Sequence, residues 1–167
     1  MSPSDAKNYI LGYTVGNDLS CRQFQLPGNS GGQFFFAKAF DKFAPIGPTL
    51  ISPELFNLSS SSLTTKVNGE VRQTADFSKD LIFSPERILS HMSQGETCRN
   101  RRIQGSQCSR GAYHRLGTTI PAGTAVMTGT ASGVGAFMKP KSFLRDGDIV
   151  EVEMTTVGTL TNKIRFK

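Results

Sequence analysis

TTKVNGEVRQ, residues 64–73, sets an Asn-Gly pair between two runs of strand-forming residues. Asn and Gly accept the positive φ that both central positions of a tight hairpin turn demand, so the segment predicts two antiparallel strands. DGDIVEVEM (146–154) alternates, with Val150, Val152 and Met154 on one face and Glu151 and Glu153 on the other. That is the period of a half-buried strand, and GTLTNKIRF (158–166) is its expected hairpin partner. Tyr9–Val15, the apolar run Gln33–Ala37 (QFFFA) and TAVMTGT (124–130) read as further strands, the second of them buried. PIGPTLIS (45–52) reads as a rigid turn and a short extended piece, and the serine tract 59–62 as a loop. One helix stands out: Ser84 is a good N-cap, Pro85 suits the first helical position and Glu86 the first turn. Ile88, Leu89 and Met92 line one face, and Gly95 is placed to stop it. Many strands, few helices and no βαβ rhythm predict a strand-rich α+β fold.

At 167 residues the chain is long enough for one domain with its own core. No run approaches eighteen apolar residues, which excludes a membrane-spanning helix. The start, MSPSDAKNYI, has neither the basic flank nor the apolar stretch of a secretory signal. Cys21, Cys98 and Cys108 form no disulfide framework, so a reducing compartment is expected, the cytoplasm first and the mitochondrion compatible. The net charge of +6 hints at nucleic acid, but its distribution argues otherwise. Arg99, Arg101, Arg102, Arg110 and Arg115 against Glu96 put +4 of it into residues 96–117. The rest reads as an ordinary enzyme-like surface.

GNDLSCRQFQ (16–25) follows the first apolar run with a carboxylate, an arginine and two glutamines. Such a strand end either enters solvent or builds a site. An Asp after a strand is commonly a turn residue whose side chain bonds nearby amides, and a lone Lys such as Lys38 is commonly a solvated charge. The same two residues also suit chemistry: Asp18 as a hard anionic ligand and Lys38 as a cation beside an apolar run.

Six segments in order resemble the C-terminal catalytic domain of the fumarylacetoacetate hydrolase family. They are GYTVGNDLSCRQFQ, FFFAKAFDKFAPIGPTLIS, TKVNGEVRQ with DLIFSPERILSHMSQG, TTIPAGTAVMTGTASGVGAFMKP, FLRDGDIVEVE and GTLTNKI. The resemblance implies a mixed β-roll, a homodimer, bound Mg²⁺, Mn²⁺ or Ca²⁺, and a small 2-oxo or 1,3-diketo acid as substrate. Its chemistries are carbon–carbon hydrolysis, decarboxylation and enol–keto tautomerisation. A hard cation chelates the oxo-acid and polarises its carbonyl. On this resemblance Asp18 matches the family's aspartate metal ligand, and Arg22 and Gln25 match two substrate contacts. Lys38 matches the lysine that supports the developing oxyanion, and Thr130 a threonine that hydrogen-bonds the substrate carboxylate.

Two departures qualify the expectation. The family's metal site takes two further carboxylates from an upstream Glu-x-Glu and has a histidine further upstream. The 17 residues before Asp18 contain one acid, Asp5, and no histidine. The domain therefore reads as incomplete at its N-terminus, with weak metal binding and activity in question. The leading reading is a metal-dependent hydrolase or decarboxylase-like protein acting on such an acid by carbon–carbon cleavage or tautomerisation; the alternative is a catalytically compromised family fragment with a scaffold or interaction role. Glu151-Val152-Glu153 reads as a decoy on an outward strand face, and His91 as a surface or packing residue. The second departure is 96–117, which reads as a solvated or disordered basic insertion or as a misplaced exon boundary. Nucleic-acid binding through it is disfavoured, and Cys98, Cys108 and His114 fit no defensible zinc spacing. GTASGVG (129–135) lacks the GK[ST] ending of a phosphate loop and reads as a substrate-side turn.

Overall fold

The computed structural model describes residues 1–97 and 115–166. Most of the basic insertion, with Cys98, Cys108 and His114, lies outside the described residues. Two compact units are present: Met1–Ile10 with Phe83–Thr128, and Leu11–Ile82 with Gly129–Lys167. The strands are β1 (Tyr13–Gly16), β2 (Ile46–Ile51), β3 (Ser62–Val67), β4 (Glu70–Asp76), β5 (Gly95–Thr97), β6 (Arg115–Gly117), β7 (Ile149–Met154) and β8 (Gly158–Lys163).

The larger unit is built on an antiparallel sheet of order β4-β3-β7-β8. The Asn-Gly turn forms as expected, with Asn68 at φ 51° and Gly69 at φ 80°. Asn68 also fastens the turn across the sheet. Its side-chain oxygen accepts from Ile149 N at 2.9 Å, and its amide donates to Asp148 Oδ1 at 2.9 Å. That donation, followed by the Arg145 backbone N–H, holds the Asp148 carboxyl below the usual carboxylate range. At the far end of β4 the Ser78 hydroxyl, then Lys79, lowers Asp76 to about 2.

The alternation in β7 is realised: Val150, Val152 and Met154 are buried, while Glu153 is exposed and pairs with Lys66 at 3.4 Å. The valine face joins Val15, Phe56, Val157 and Ile164 in the core, flanked by Tyr13, Leu19, Leu63 and Leu160. Burying each such side chain contributes roughly 1.5–3 kcal/mol. The β1–β2 pair packs against β7 and β8 and is fastened there by Thr49 Oγ1 donating to Val157 O at 2.6 Å. The strand-rich α+β architecture expected from the sequence is the one observed.

Three expected strands differ. Tyr9–Val15 narrows to Tyr13–Gly16, and Lys7–Tyr9 is a 3-10 turn. TAVMTGT forms no strand. QFFFA is neither strand nor buried: Phe34, Phe35 and Phe36 are exposed, Phe35 by 81%, and Phe36–Lys38 is a 3-10 turn with only Ala37 inside. Phe36 joins a ring cluster with Phe24, Phe40 and Phe43. Phe36 meets Phe24 edge-on at 4.9 Å and Phe40 at 5.3 Å, and Phe40 meets Phe43 at 5.3 Å. An apolar run without periodicity does not say what covers it.

In the smaller unit Ser84 Oγ accepts from Arg87 N at 3.3 Å to start the helix Pro85–Met92. Ile88 and Leu89 are half-buried and Met92 is exposed; the buried residue is Ser90, which donates to Met1 O at 2.8 Å. The helix ends on Ser93, ahead of Gly95, which instead opens β5 opposite β6. The edges of the basic segment are thus an antiparallel pair. Among the described residues no helix is long and apolar enough to cross a membrane.

Candidate functional site

The chain leaves β1 at Gly16 under tight control. Asn17 N donates to Pro45 O at 3.0 Å, its side-chain amide to Asn162 Oδ1 at 3.2 Å, and Leu19 N to Asn17 O at 2.9 Å. Leu19 packs against the core while Asp18 between them stays partly in solvent. Cys21 N then donates to Ala37 O at 2.9 Å, tying this turn to the one that carries Lys38. Ala37, completely buried, anchors that second turn.

Two residues twenty apart in sequence therefore meet: Lys38 Nζ forms an ion pair with Asp18 Oδ2 and donates to Ser20 Oγ at 3.0 Å. The side chains are 38% and 42% exposed, so the pair adds only about 0–1 kcal/mol to stability. Its value is positional. A partly exposed ammonium is held at a fixed point on the turn that also carries Phe36.

Arg22 and Gln25 share one 3-10 turn, where Arg22 Nη1 donates to Gln25 Oε1 at 2.7 Å. The guanidinium also lies over the Phe137 ring, 5.7 Å from its centroid. Phe137 belongs to the glycine-rich segment that begins at Thr130. Thr130 Oγ1 in turn accepts from Gln73 Nε2 at 2.9 Å. The structure thus brings Asp18 and Lys38 together directly and joins Arg22 and Gln25. It connects Thr130 to them only through segment 130–137, with no hydrogen bond between Thr130 and the ion pair. Ser20, Gln73 and Phe137 were not singled out by sequence. Nothing in their spacing marks them, since each is recruited by a partner far along the chain.

The chemistry of the donor set bears on a metal. A hard divalent cation takes six or more oxygens, several of them anionic when the cage is all protein. Here the single carboxylate, Asp18, already carries the Lys38 ammonium, and the neighbouring Ser20 oxygen accepts from the same group. Among the described residues no three His, Cys, Asp or Glu side chains converge. Glu151 and Glu153 lie on β7 across from Lys66 and Thr64, away from Asp18's turn. These residues alone do not fit a metal cage.

Residues 1–165 match the family described as fumarylacetoacetate (FAA) hydrolase, C-terminal. The chain is 36% identical to the fumarylacetoacetate hydrolase domain-containing protein 2 homolog of Dictyostelium discoideum, covering 99% of this chain and 50% of that protein. It is 33% identical to the oxaloacetate tautomerase YisK of Bacillus subtilis, covering 98% and 46%. It is 31% identical to the mitochondrial oxaloacetate tautomerase FAHD2A of Bos taurus, covering 96% and 44%. Among solved structures, the fumarylacetoacetate hydrolase of Exiguobacterium antarcticum superposes with a TM-score of 0.79 at 29% identity, over 100% of this chain and 51% of that one. The chain spans about half the length of the curated relatives it matches.

Proposed function

The chain belongs to the fumarylacetoacetate hydrolase C-terminal family, and on that premise we propose that it acts on a small 2-oxo or 1,3-diketo acid, with enol–keto tautomerisation as its reaction. The observation that carries this reading is the Lys38 ammonium, held by Asp18 and Ser20 at a solvent-facing point. Moving a proton between carbon and oxygen next to a carboxylate builds negative charge on the carbonyl oxygen. A fixed ammonium stabilises that charge as it appears, which is where preorganised donors are worth most. Asp18 and Ser20 hold the Lys38 side chain in place. Arg22, held by Gln25 and stacked on Phe137, supplies a cation for a substrate carboxylate, and the Thr130 hydroxyl supplies a neutral donor. The similarity to two oxaloacetate tautomerases supports this choice over carbon–carbon hydrolysis and decarboxylation.

Mg²⁺, Mn²⁺ or Ca²⁺ enters the proposal only as a weakly held ion at Asp18, and none of the steps above runs through it. The exposed rings of Phe34, Phe35, Phe36 and Phe40 support a homodimer. The cytoplasm is the proposed compartment; mitochondrial relatives make the organelle its competitor.

A second reading has an observation of its own: Asp18 is neutralised by Lys38, and the described residues gather no three metal ligands. On it the chain keeps the fold as a scaffold without turnover. Ultraviolet monitoring of the oxaloacetate enol–keto equilibration separates the two, with and without Mn²⁺. Acceleration that disappears in Lys38→Met supports the tautomerase. A folded protein that leaves the equilibration rate unchanged supports the scaffold.

A further inference from the structure

We infer that Gln73 is a positioning residue that sets the polarity of the Thr130 hydroxyl, turning its proton towards the substrate carboxylate; this rests on the oxo-acid reading of Thr130 given above. The carboxamide nitrogen of glutamine only donates, and a backbone carbonyl only accepts. Gln73 Nε2 lies 2.8 Å from Ala131 O, which fixes the amide with its NH₂ towards the glycine-rich segment. The same nitrogen reaches Thr130 Oγ1 at 2.9 Å, so the hydroxyl is the acceptor in that bond. A hydroxyl has one proton and two lone pairs. With one lone pair engaged by Gln73, the proton stays uncommitted, and among the described residues the hydroxyl has no other partner. Thr130 is exposed, so this proton is accessible to a small acid from solvent. A carboxylate accepts and does not donate, and it needs that orientation.

The reach of Gln73 comes from an irregularity in the hairpin. Thr65 pairs with Gln73 but Lys66 pairs with Val71, leaving Arg72 as an extra residue in β4. Successive residues of a regular strand point to opposite faces, whereas a bulge re-aims them. Here both grip one segment. Gln73 holds Thr130 and Ala131, while Arg72 Nη1 lies 3.6 Å from Met138 Sδ. A Cβ on Gly133, at φ 101°, would stand 2.0 Å from Arg72 O, so the segment lies directly on the bulge.

The test is oxalate binding to the full chain by titration calorimetry. Oxalate is the smallest planar dianion that presents a carboxylate beside a second oxygen, as a 2-oxo acid does. Thr130→Val is expected to weaken binding about ten- to a hundredfold, the range of a hydrogen bond to a charged group. Gln73→Met should weaken it less, and the double variant should bind no worse than Thr130→Val alone. Gln73→Glu should bind worse than Gln73→Met, because a carboxylate captures the hydroxyl proton. Additive losses, or Gln73 variants that bind like the unaltered chain, overturn the inference while leaving the oxo-acid reading intact. An unaltered chain that does not bind oxalate overturns both. If circular dichroism shows Gln73→Met unfolded, Gln73→Lys against Gln73→Glu sets a donor against an acceptor. Equal binding by these two overturns the inference.

Discussion

The β3–β4–β7–β8 sheet and the segment from Asn17 to Phe43 lie in one unit and are built on opposite logics. In the sheet the pattern is a period of two, broken at one bulge in β4, and Val150, Val152 and Met154 of β7 disappear into the core. In the segment there is no period. Two 3-10 turns, Arg22–Gln25 and Phe36–Lys38, present charge and aromatic rings to the outside. The sheet supplies stability and the segment spends little of it. Its Asp18–Lys38 ion pair is partly solvated and thermodynamically almost neutral. On the proposed function, stability and activity are separable by single substitutions.

The sharpest way to break that contrast is Val152→Asp. It places a carboxylate on the buried face of β7 with no partner for it, and the loss is expected to exceed about 4 kcal/mol, most of the stability of a domain at the low end of the usual range of about 5–15 kcal/mol. Thermal melting followed by circular dichroism reads this directly. Lys38→Met is the reciprocal case. Its tautomerisation rate should fall about 10²- to 10³-fold, or roughly 2.7–4 kcal/mol, while its melting curve moves by less than about 1 kcal/mol. A large loss of stability in Lys38→Met would erase the division between the two regions. Asn68→Ala tests the sheet at its turn. It removes two side-chain hydrogen bonds and leaves an alanine at φ 51°, so a loss of about 1–2 kcal/mol is expected in urea titration. An unchanged urea midpoint would show that the turn is held by the strands alone.

The smallest effect is with acid. Asp76 and Asp148 have folded-state pKa values below their ordinary value, to about 2 for Asp76. Their contribution is therefore fully present above about pH 4, near the unfolded carboxylate value, and fades as pH falls towards 2. Melting temperature measured from pH 5 to 2 should drop in that window. Asp76→Asn and Asp148→Asn should each flatten the drop, and neither should alter oxalate binding near neutral pH.

What was legible in the sequence divides along the same line. The Asn68-Gly69 turn and the β7 alternation are local and periodic, and both form where the residues dictate. The β8 partner follows from chain direction alone. QFFFA misleads because a run of apolar residues reports hydrophobicity without naming its cover: Phe34 and Phe35 stay exposed, and Phe36 packs on Phe24 and Phe40 outside the run. TAVMTGT has the composition of a strand but is paired with none among the described residues. In the site, Asp18 and Lys38 were legible through family resemblance, and the structure joins them. Gln73 was not, because its role depends on a one-residue bulge and on a threonine 57 positions away. No window of sequence contains that relation.

The phenylalanine cluster has a further consequence, for the medium around the charges. Phe36 and Lys38 lie two residues apart in one turn, so a partner broad enough to cover both the rings and the turn would displace water from the ammonium. Two unit charges 4 Å apart interact by about 1 kcal/mol in water and about 4 kcal/mol at the effective dielectric of a protein surface. Under such a partner the attraction between Asp18 and Lys38 would strengthen by the same change of dielectric. The exposed rings and the ion pair would then share one cover.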